Sequence, residues 1–220
     1  MTIIKDKKLF ALSTLLCLLP IAMYLLVYDQ LPAYMVQHWG TGGNPTWAMQ
    51  KQLAIFAMPL MLTAVHIVTV VFISKDPKVQ NNPKKIQHSI FWLVPVISIF
   101  TNLVILIANL DANFDVRIAA FAFIGLLFII IGNYLPKTRQ NYFIGVRTYW
   151  TLHNTDNWNK THRLAGKTFI LSGFLFMLGA VLMPNTSVMI ALVVTTLVLV
   201  AVIPITYSYR LYHQQENHDQ

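Results

Sequence analysis

The chain contains few charged residues and even fewer acidic ones. Only 11% of its 220 residues are Asp, Glu, Lys or Arg, and 56% are hydrophobic, whereas a soluble globular domain is about 25% charged. The 8 acidic residues are outnumbered by 16 Lys and Arg, so the formal net charge is +8. Such a chain cannot bury its apolar surface in one soluble core, and we therefore expect it to lie in a lipid bilayer.

Residues that carry catalytic or metal chemistry are also scarce. The single cysteine, Cys17, lies inside an apolar run, so the chain can form neither an internal disulfide nor a cysteine-based metal site. The sequence has no paired carboxylates and no nucleophile motif, and His153 and His162 share one segment without acidic partners. We expect no enzyme activity, no catalytic residue, no metal site and no other cofactor.

Long uncharged stretches predict membrane-spanning helices, each of which needs about 20 mostly apolar residues. The last stretch is about twice the length of one span and contains the turn signal Pro184-Asn185-Thr186-Ser187, which predicts two helices joined by a short loop. The sequence thus predicts an all-α membrane protein with six transmembrane helices. The uncharged stretches are residues 9–28, 52–74, 86–110, 118–136 and 168–209.

The basic residues are predicted to lie on one side of the membrane. If the N-terminus is cytoplasmic, the outer segments contain only Lys51 and Arg117, and positive charge favours cytoplasmic loops. We therefore predict both termini inside, with the basic side chains near anionic membrane lipids. This placement explains the net charge without direct nucleic-acid binding. The inner basic residues are Lys5, Lys7, Lys8, Lys75, Lys78, Lys84, Lys85, Lys137, Arg139, Arg147, Lys160, Arg163, Lys167 and Arg210.

The predicted spans contain no Asp, Glu, Lys or Arg. Ion-coupled transporters usually keep an ionisable group near the membrane midplane, so this absence disfavours ion coupling. We expect His66 to snorkel or to bond to a neighbouring helix rather than to carry an ion. Gly125 and Gly132, like Gly166 and Gly173, are seven residues apart, which predicts small stripes where helices approach closely.

The first outer loop, residues 29–51, is rich in aromatic residues. His38, Trp39 and Trp47 flank a glycine-rich turn. Tryptophan is common at the membrane–water interface, which favours an anchor, but aromatic side chains also form binding hot spots, which favours a recognition surface.

The long inner loop, residues 132–167, is predicted to carry a short amphipathic helix. Thr155 is a plausible N-cap, after which Trp158, His162 and Ala165 would share one helical face. A basic amphipathic helix of this kind can lie on the inner leaflet, or it can provide a docking surface for a cytoplasmic partner.

Both loops carry a recognisable set of residues. In the outer loop these are Leu31, Pro32, His38, Trp39, Gly43, Trp47 and Lys51. In the inner loop they are Gly132, Asn133, Pro136, Asn141, Gly145, Arg147, Thr148, Trp150, Thr151, Leu152, Trp158, Thr161, His162 and Gly166. The inner set resembles the signature of the SdpI family of bacterial toxin-immunity membrane proteins, and the outer set resembles a domain that often precedes that signature. The resemblance extends from about Leu31 to the fifth predicted helix.

The resemblance implies a multi-pass protein of the bacterial cytoplasmic membrane that protects the cell against a secreted antimicrobial peptide toxin. For some members it also implies signalling to a cytoplasmic transcriptional repressor. Toxin recognition is then expected at His38, Trp39 and Trp47. The inner-loop site residues are expected to be Asn133, Pro136, Asn141, Gly145, Arg147, Thr148, Trp150, Trp158, Thr161 and His162. A small-solute membrane transporter is the alternative function.

The sequence divides accordingly into an N-terminal three-helix half at 1–115, an SdpI-like half at 116–210 and a polar tail at 211–220. Arg147 lies at the centre of the inner signature. It could be a topology charge, it could fasten the loop by forked hydrogen bonds to carbonyls or to Asp156, or it could contact a cytoplasmic partner. We predict the second of these roles.

Overall fold

The computed structural model describes residues 6–182 and 185–216, and it is built mainly from helices. Six helical segments within these ranges are long and apolar enough to cross a membrane, which confirms the predicted number of spans. Pro184 of the predicted turn and residues 217–220 of the tail lie outside the described residues. The helices are α1 (Lys7–Leu26), α2 (Lys51–Ser74), α3 (Lys84–Leu110), α4 (Val116–Tyr134), α5 (Tyr149–His153), α6 (Thr155–Leu182), α7 (Thr186–Leu197) and α8 (Ile203–Glu216).

Two features modify these spans. A 3₁₀ turn at Leu135–Lys137 extends α4 to the end of its span. A five-residue π-helix, Val198–Val202, joins α7 to α8, so that one span runs from Thr186 to Gln214.

The first compact unit, whose described residues are 6–75 and 87–119, contains α1, α2 and most of α3. Its helices are joined by buried polar contacts. Ser13 Oγ and His66 Nε2 are hydrogen-bonded at 2.9 Å, and Tyr24 Oη donates to both the carbonyl and the side-chain oxygen of Asn102 at 3.1 Å. The structure therefore confirms that His66 bonds to a neighbouring helix.

A β-hairpin between α1 and α2, which the sequence did not predict, occupies the outer loop. Strands β1 (Tyr34–Trp39) and β2 (Pro45–Gln50) pair antiparallel, with register irregularities around His38. The hairpin is fixed to the helices because Leu31 and Met35 are buried in one apolar cluster with residues of α1, α2 and α3. The helical residues of that cluster are Tyr24, Ala54, Ile55, Ile105 and Leu106.

The second compact unit, whose described residues are 76–86, 120–182 and 185–216, contains most of α4 and the helices that follow it. Its α4 and α6 pack backbone against backbone. A Cβ on Gly132 would lie 2.7 Å from the carbonyl oxygen of Gly166, and a Cβ on Gly166 would lie 2.7 Å from that of Gly132. Gly125 and Gly173 face each other in the same way, which confirms the predicted close approach of the small stripes.

The predicted amphipathic helix is not a separate element. Thr155 is the first residue of α6, which continues for 28 residues into its span, and the side chain of Asn154 caps it by accepting the N–H of Asn157 at 2.9 Å. Trp158, His162 and Ala165 share a face as expected, but that face is fully buried in protein rather than laid on lipid. The detail is wrong because nothing breaks the helix after Thr155; Gly166, the one weak helix former there, packs against α4.

Candidate functional site

The three outer residues expected to recognise toxin lie together on the hairpin. His38 is opposite Trp47 in the strand register, and its Nδ1 is 2.7 Å from Thr46 Oγ1. The two tryptophans differ in environment. Trp47 is 53% exposed, whereas Trp39 is partly buried against the apolar cluster under the hairpin. Trp47 is therefore available for binding, while Trp39 anchors the strand.

The base of the hairpin is held by Lys51. Its Nζ donates to the carbonyl oxygens of Tyr28 at 3.2 Å and Leu31 at 3.3 Å, and it lies 4.3 Å from the centre of the Tyr28 ring. A lysine at this position thus fixes the chain at the point where α1 leads into the hairpin.

The turn of the hairpin meets an ion pair that sequence reasoning missed. Gly43 has a φ of 80°, and a Cβ there would lie 3.0 Å from Nε of Arg117. Arg117 Nη2 is 2.6 Å from Asp115 Oδ2, and hydrogen bonding to this guanidinium lowers the pKa of Asp115 below its ordinary value. A glycine therefore suits this position for both its conformation and its small size.

The two strands differ in the accessibility of their outer edges. The side chain of Asn109 accepts the N–H of Val36 at 2.7 Å and donates to its carbonyl at 2.9 Å, so it covers the outer edge of β1. Lys51 N donates to Ala33 O. Hydrogen-bonded and non-hydrogen-bonded residue pairs alternate along antiparallel strands, so the N–H and C=O of Ala48, three residues before Lys51, point away from β1. Ala48 is exposed, and no described residue pairs with this edge of β2.

The centre of the inner signature lies in the loop between the fourth and fifth spans, residues 138–154, which we term the signature loop. Asn141 is fully buried and organises its first turn. The side-chain oxygen of Asn141 accepts the N–H groups of Phe143 at 2.9 Å and Ile144 at 2.7 Å, and its amide donates to the carbonyl of Arg139 at 2.8 Å. This is the local side chain-to-backbone bonding typical of asparagine in turns.

His162 fastens the middle of the signature loop to α6. Its Nε2 accepts the N–H of Val146 at 3.1 Å, so the ring is neutral with its proton on Nδ1, which donates to the carbonyl of Trp158 at 2.9 Å. The ring also stacks on Trp158, whose Nε1 donates to the carbonyl of Thr138 at 2.9 Å. Gly145 has a φ of 106°, and a Cβ there would overlap the imidazole.

A buried polar network fastens the end of the signature loop to α6 and α8. Thr148 caps α5 through a capping box with Thr151, and its Oγ1 lies 3.1 Å from Ser208 Oγ. Asn157 accepts hydrogen bonds from Ser208 Oγ at 2.8 Å and Thr161 Oγ1 at 3.0 Å, and its amide donates to the carbonyl of Ser208 at 2.9 Å. The structure thus joins the predicted Thr148 and Thr161 through Asn157 and Ser208, which were not predicted.

Residues 76–86 also hold the signature loop. Asp76 is buried, and its carboxylate accepts the N–H groups of Lys78 and Tyr142, each at 2.8 Å. The buried Asn82 accepts the N–H of Arg139 at 2.6 Å. In the sequence, Asp76 and Asn82 are recognisable only as polar residues among basic ones. That pattern is equally typical of a loop exposed to solvent.

Arg147 makes one of the contacts expected for it and not the other. Its Nη1 donates to the carbonyl of Tyr142 at 2.9 Å, whereas Asp156 pairs with Lys160 at 2.7 Å. The proposed bond to Asp156 is therefore absent, and a single hydrogen bond to a carbonyl replaces the expected fork. The Arg147 side chain is exposed.

The remaining signature residues lie at the edge of this arrangement. Pro136 packs against Gly166, and Trp150 contacts the Tyr209 ring at 5.1 Å. Asn133 is exposed and approaches only Lys137 Nζ, at 3.3 Å, in the part of the chain that the structure describes. Among the same residues, no three His, Cys, Asp or Glu side chains are placed to hold a metal ion.

Six apolar spans, with a hairpin and a polar-anchored loop between them, define a multi-pass membrane protein. Residues 137–208, which include the signature loop and its polar network, match the family model of the SdpI/YfhL protein family. Residues 15–63, which include the hairpin, match a domain of unknown function (DUF1648). The resemblance expected from the loop residues is thereby confirmed.

The similarity to a curated relative extends over nearly the whole chain. The chain is 27% identical over 209 residues to the immunity protein SdpI of Bacillus subtilis (strain 168), covering 94% of this chain and 96% of that protein. No solved structure matches the chain.

Proposed function

We propose that this protein protects its bacterium against a secreted peptide toxin. The observation that carries the proposal is the similarity to an immunity protein over almost the full length of both chains. Such coverage includes the hairpin, all six spans and the signature loop, so it concerns the whole architecture rather than one motif. The name of that relative describes protection rather than a reaction, in keeping with a protein that is not an enzyme.

The hairpin is the surface that we propose for toxin recognition. Trp47 offers an exposed aromatic ring beside His38 and Trp39, and aromatic side chains dominate binding energy in many interfaces. The neighbouring edge of β2 is accessible, and an extended peptide can add to such an edge through main-chain hydrogen bonds. The toxin would then bind as a third strand, with Trp47 packing against its side chains.

The signature loop is the surface that we propose for signalling to a cytoplasmic repressor. Its backbone is fixed by Asn141, His162 and Asp76, so its outward side chains are held in a defined arrangement. Phe143 and Tyr149 are 37% and 65% exposed, next to the exposed Arg147. Aromatic and arginine side chains on a rigid loop suit a protein-docking surface.

The immunity proposal is tested by deleting the gene in its own bacterium and growing the mutant in filtered medium from the parent culture. The mutant should lose viability in that medium and survive in fresh medium, and a plasmid copy of the wild-type gene should restore survival. An equal survival of mutant and parent in every producing condition would refute the immunity role.

The signalling proposal needs a separate measurement. RNA sequencing should show transcripts that rise when the parent is exposed to its own filtered medium. In a strain carrying Phe143→Ala and Tyr149→Ala, we expect that rise to disappear while survival remains normal. An unchanged transcript response in the double variant would show that these loop side chains do not dock the repressor.

A further inference from the structure

A groove of about 390 Å³ lies beside the signature loop in the second unit. Its walls are apolar side chains of three membrane helices, among them Ile131 and Leu135 of the fourth span, Phe169 of α6 and Val200 of the π-helix. Loop residues 144–148 close one end. This volume falls within the range typical of small-molecule sites, about 300–1,000 Å³.

The loop end of the groove is positively charged. Arg147 lines it, is exposed, and uses Nη1 to bond to the Tyr142 carbonyl. A guanidinium has five N–H donors, and the other donors of Arg147 have no partner among the described residues. No carboxylate lines the groove, so an anionic group at this end would meet no repulsion from its walls.

The signature loop begins where the fourth span ends, so the loop end of the groove would lie near the headgroup level of a membrane and its helical walls within the membrane. Trp150, three residues after Arg147, contacts the Tyr209 ring, and tryptophan and tyrosine are enriched where membrane meets water. From Leu135 to Ile131 the fourth span extends one helical turn, about 6 Å, away from that end. The charged end and the apolar walls thus follow the polarity of a phospholipid.

The π-helix provides an independent indication of a site. Val200 and Ala201, which line the groove, both lie in the five-residue π-helix Val198–Val202. π-Helical turns inside longer helices are rare and occur frequently at functional sites. The irregularity therefore coincides with the wall of the groove.

We propose that this groove binds an acyl chain of an anionic phospholipid whose phosphate contacts Arg147. Basic pockets between membrane helices recognise anionic headgroups in this way, and the guanidinium is well suited to phosphate. The apolar walls favour a lipid over free phosphate, which would leave them uncovered. The proposal does not depend on the toxin or on the repressor.

The test uses the full chain purified in detergent and native mass spectrometry. Phosphatidylglycerol and phosphatidylcholine with identical acyl chains are titrated separately, and the retained lipid is counted. We expect the wild type to retain phosphatidylglycerol preferentially. Arg147→Gln should weaken phosphatidylglycerol binding roughly tenfold, as expected for the loss of a charged hydrogen bond, and should remove the preference. Arg139→Gln removes an equal charge from the same loop outside the groove. It should leave the binding of phosphatidylglycerol and the preference for it unchanged.

The apolar part of the site is tested by filling it. Ala201→Phe should reduce retention of both lipids, and Ile205→Trp, at another groove position, should act in the same direction. Ala191→Phe, an exposed position of α7 outside the groove, should have no effect. All variants are first checked for a cooperative thermal transition. If one of the two groove-filling variants is misfolded, the other one provides the test.

Three results would overturn the proposal. Equal losses for Arg147→Gln and Arg139→Gln would mean that the loop attracts anionic lipid only diffusely. Full retention by both groove-filling variants would mean that no acyl chain enters the groove. Displacement of phosphatidylglycerol by excess inorganic phosphate would identify a simple anion site.

Discussion

The imidazole of His162 accepts the backbone N–H of Val146 at 3.1 Å, and a glycine at position 145 makes this approach possible. The bond joins a membrane helix to the centre of the signature loop. Because the ring is fully buried, removing its acceptor leaves the Val146 N–H without a partner, and such a loss costs about 1–3 kcal/mol.

We therefore predict that His162→Phe loosens the signature loop. Phenylalanine keeps a flat aromatic ring that can stack on Trp158, but it is larger than imidazole and lacks both the Nε2 acceptor and the Nδ1 donor to the Trp158 carbonyl. Limited proteolysis in inverted membrane vesicles should cleave the loop faster than in the wild type, while total membrane levels stay normal. His153→Phe, an exposed histidine of the same loop, is the matched control. Identical cleavage rates for His162→Phe and the wild type would show that this bond does not hold the loop.

Asp76→Asn should loosen the same loop from the opposite side. The carboxylate accepts two N–H groups, and an amide can accept with only one of its two end atoms. One of the two backbone N–H groups then faces the NH₂ group of the new side chain and loses its acceptor, which should lower the stability of the fold by about 1–3 kcal/mol. Thermal unfolding of the purified protein should shift downward. Asp29→Asn changes an exposed aspartate and should leave the midpoint unchanged; equal midpoints for both variants would remove the role assigned to Asp76.

Gly166→Ala should destabilise the contact between α4 and α6. Its Cβ would lie 2.7 Å from the carbonyl of Gly132 and equally close to Pro136, and forced overpacking typically costs about 1–3 kcal/mol. We expect a lower midpoint in a thermal melt in detergent. Gly42→Ala serves as control because the added Cβ makes an ordinary contact of 3.6 Å. If the thermal unfolding curve of Gly166→Ala coincided with that of the wild type, α4 and α6 could move apart without a loss of stability.

Trp47→Ala should weaken toxin protection more than it weakens the fold. The side chain is about half exposed, so its loss removes recognition surface and little packing. Survival in filtered parental medium should fall while membrane levels stay constant. Trp39→Ala should lower both survival and membrane levels, because the Trp39 ring packs against the apolar cluster. Full protection by Trp47→Ala would exclude this ring from recognition.

Strand addition at β2 makes a prediction about two adjacent residues. Ala48→Pro removes an N–H that points away from the hairpin, and proline is tolerated at such an edge position. Met49→Pro removes an inward N–H and should disrupt the hairpin itself. Survival should fall in both strains, but only Met49→Pro should lower the melting midpoint. Normal survival with Ala48→Pro would rule out strand addition.

The predicted orientation can be measured with two single cysteines in a Cys17→Ser background. Thr41 lies in the hairpin turn and Asn159 near the start of α6, and both are exposed. An impermeant thiol reagent should label Thr41→Cys in intact cells and should label Asn159→Cys only after lysis. The reverse pattern would invert the topology.

The spans could be predicted from sequence because the absence of charge over about 20 residues is a local property. The hairpin was missed because β1 shows no alternation of apolar and polar residues, although aromatic-rich segments around a Gly-Thr-Gly-Gly-Asn-Pro turn are a hairpin signal. The predicted N-cap of α6, Thr155, lies one residue after the observed cap, Asn154, and differences of this size are common at helix ends. The contact of Asp76 with Tyr142 spans 66 positions, and no local pattern encodes such a partner.

The bond between Thr148 and Ser208 also orders events during synthesis. The two residues are 60 positions apart, and at about 5–20 residues per second a ribosome needs roughly 3–12 seconds to pass from one to the other. During that interval the signature loop has already been made, but the helix that completes its polar anchor has not. The end of the loop, where Tyr149 lies, would therefore gain this anchor only on chains whose last span has been inserted.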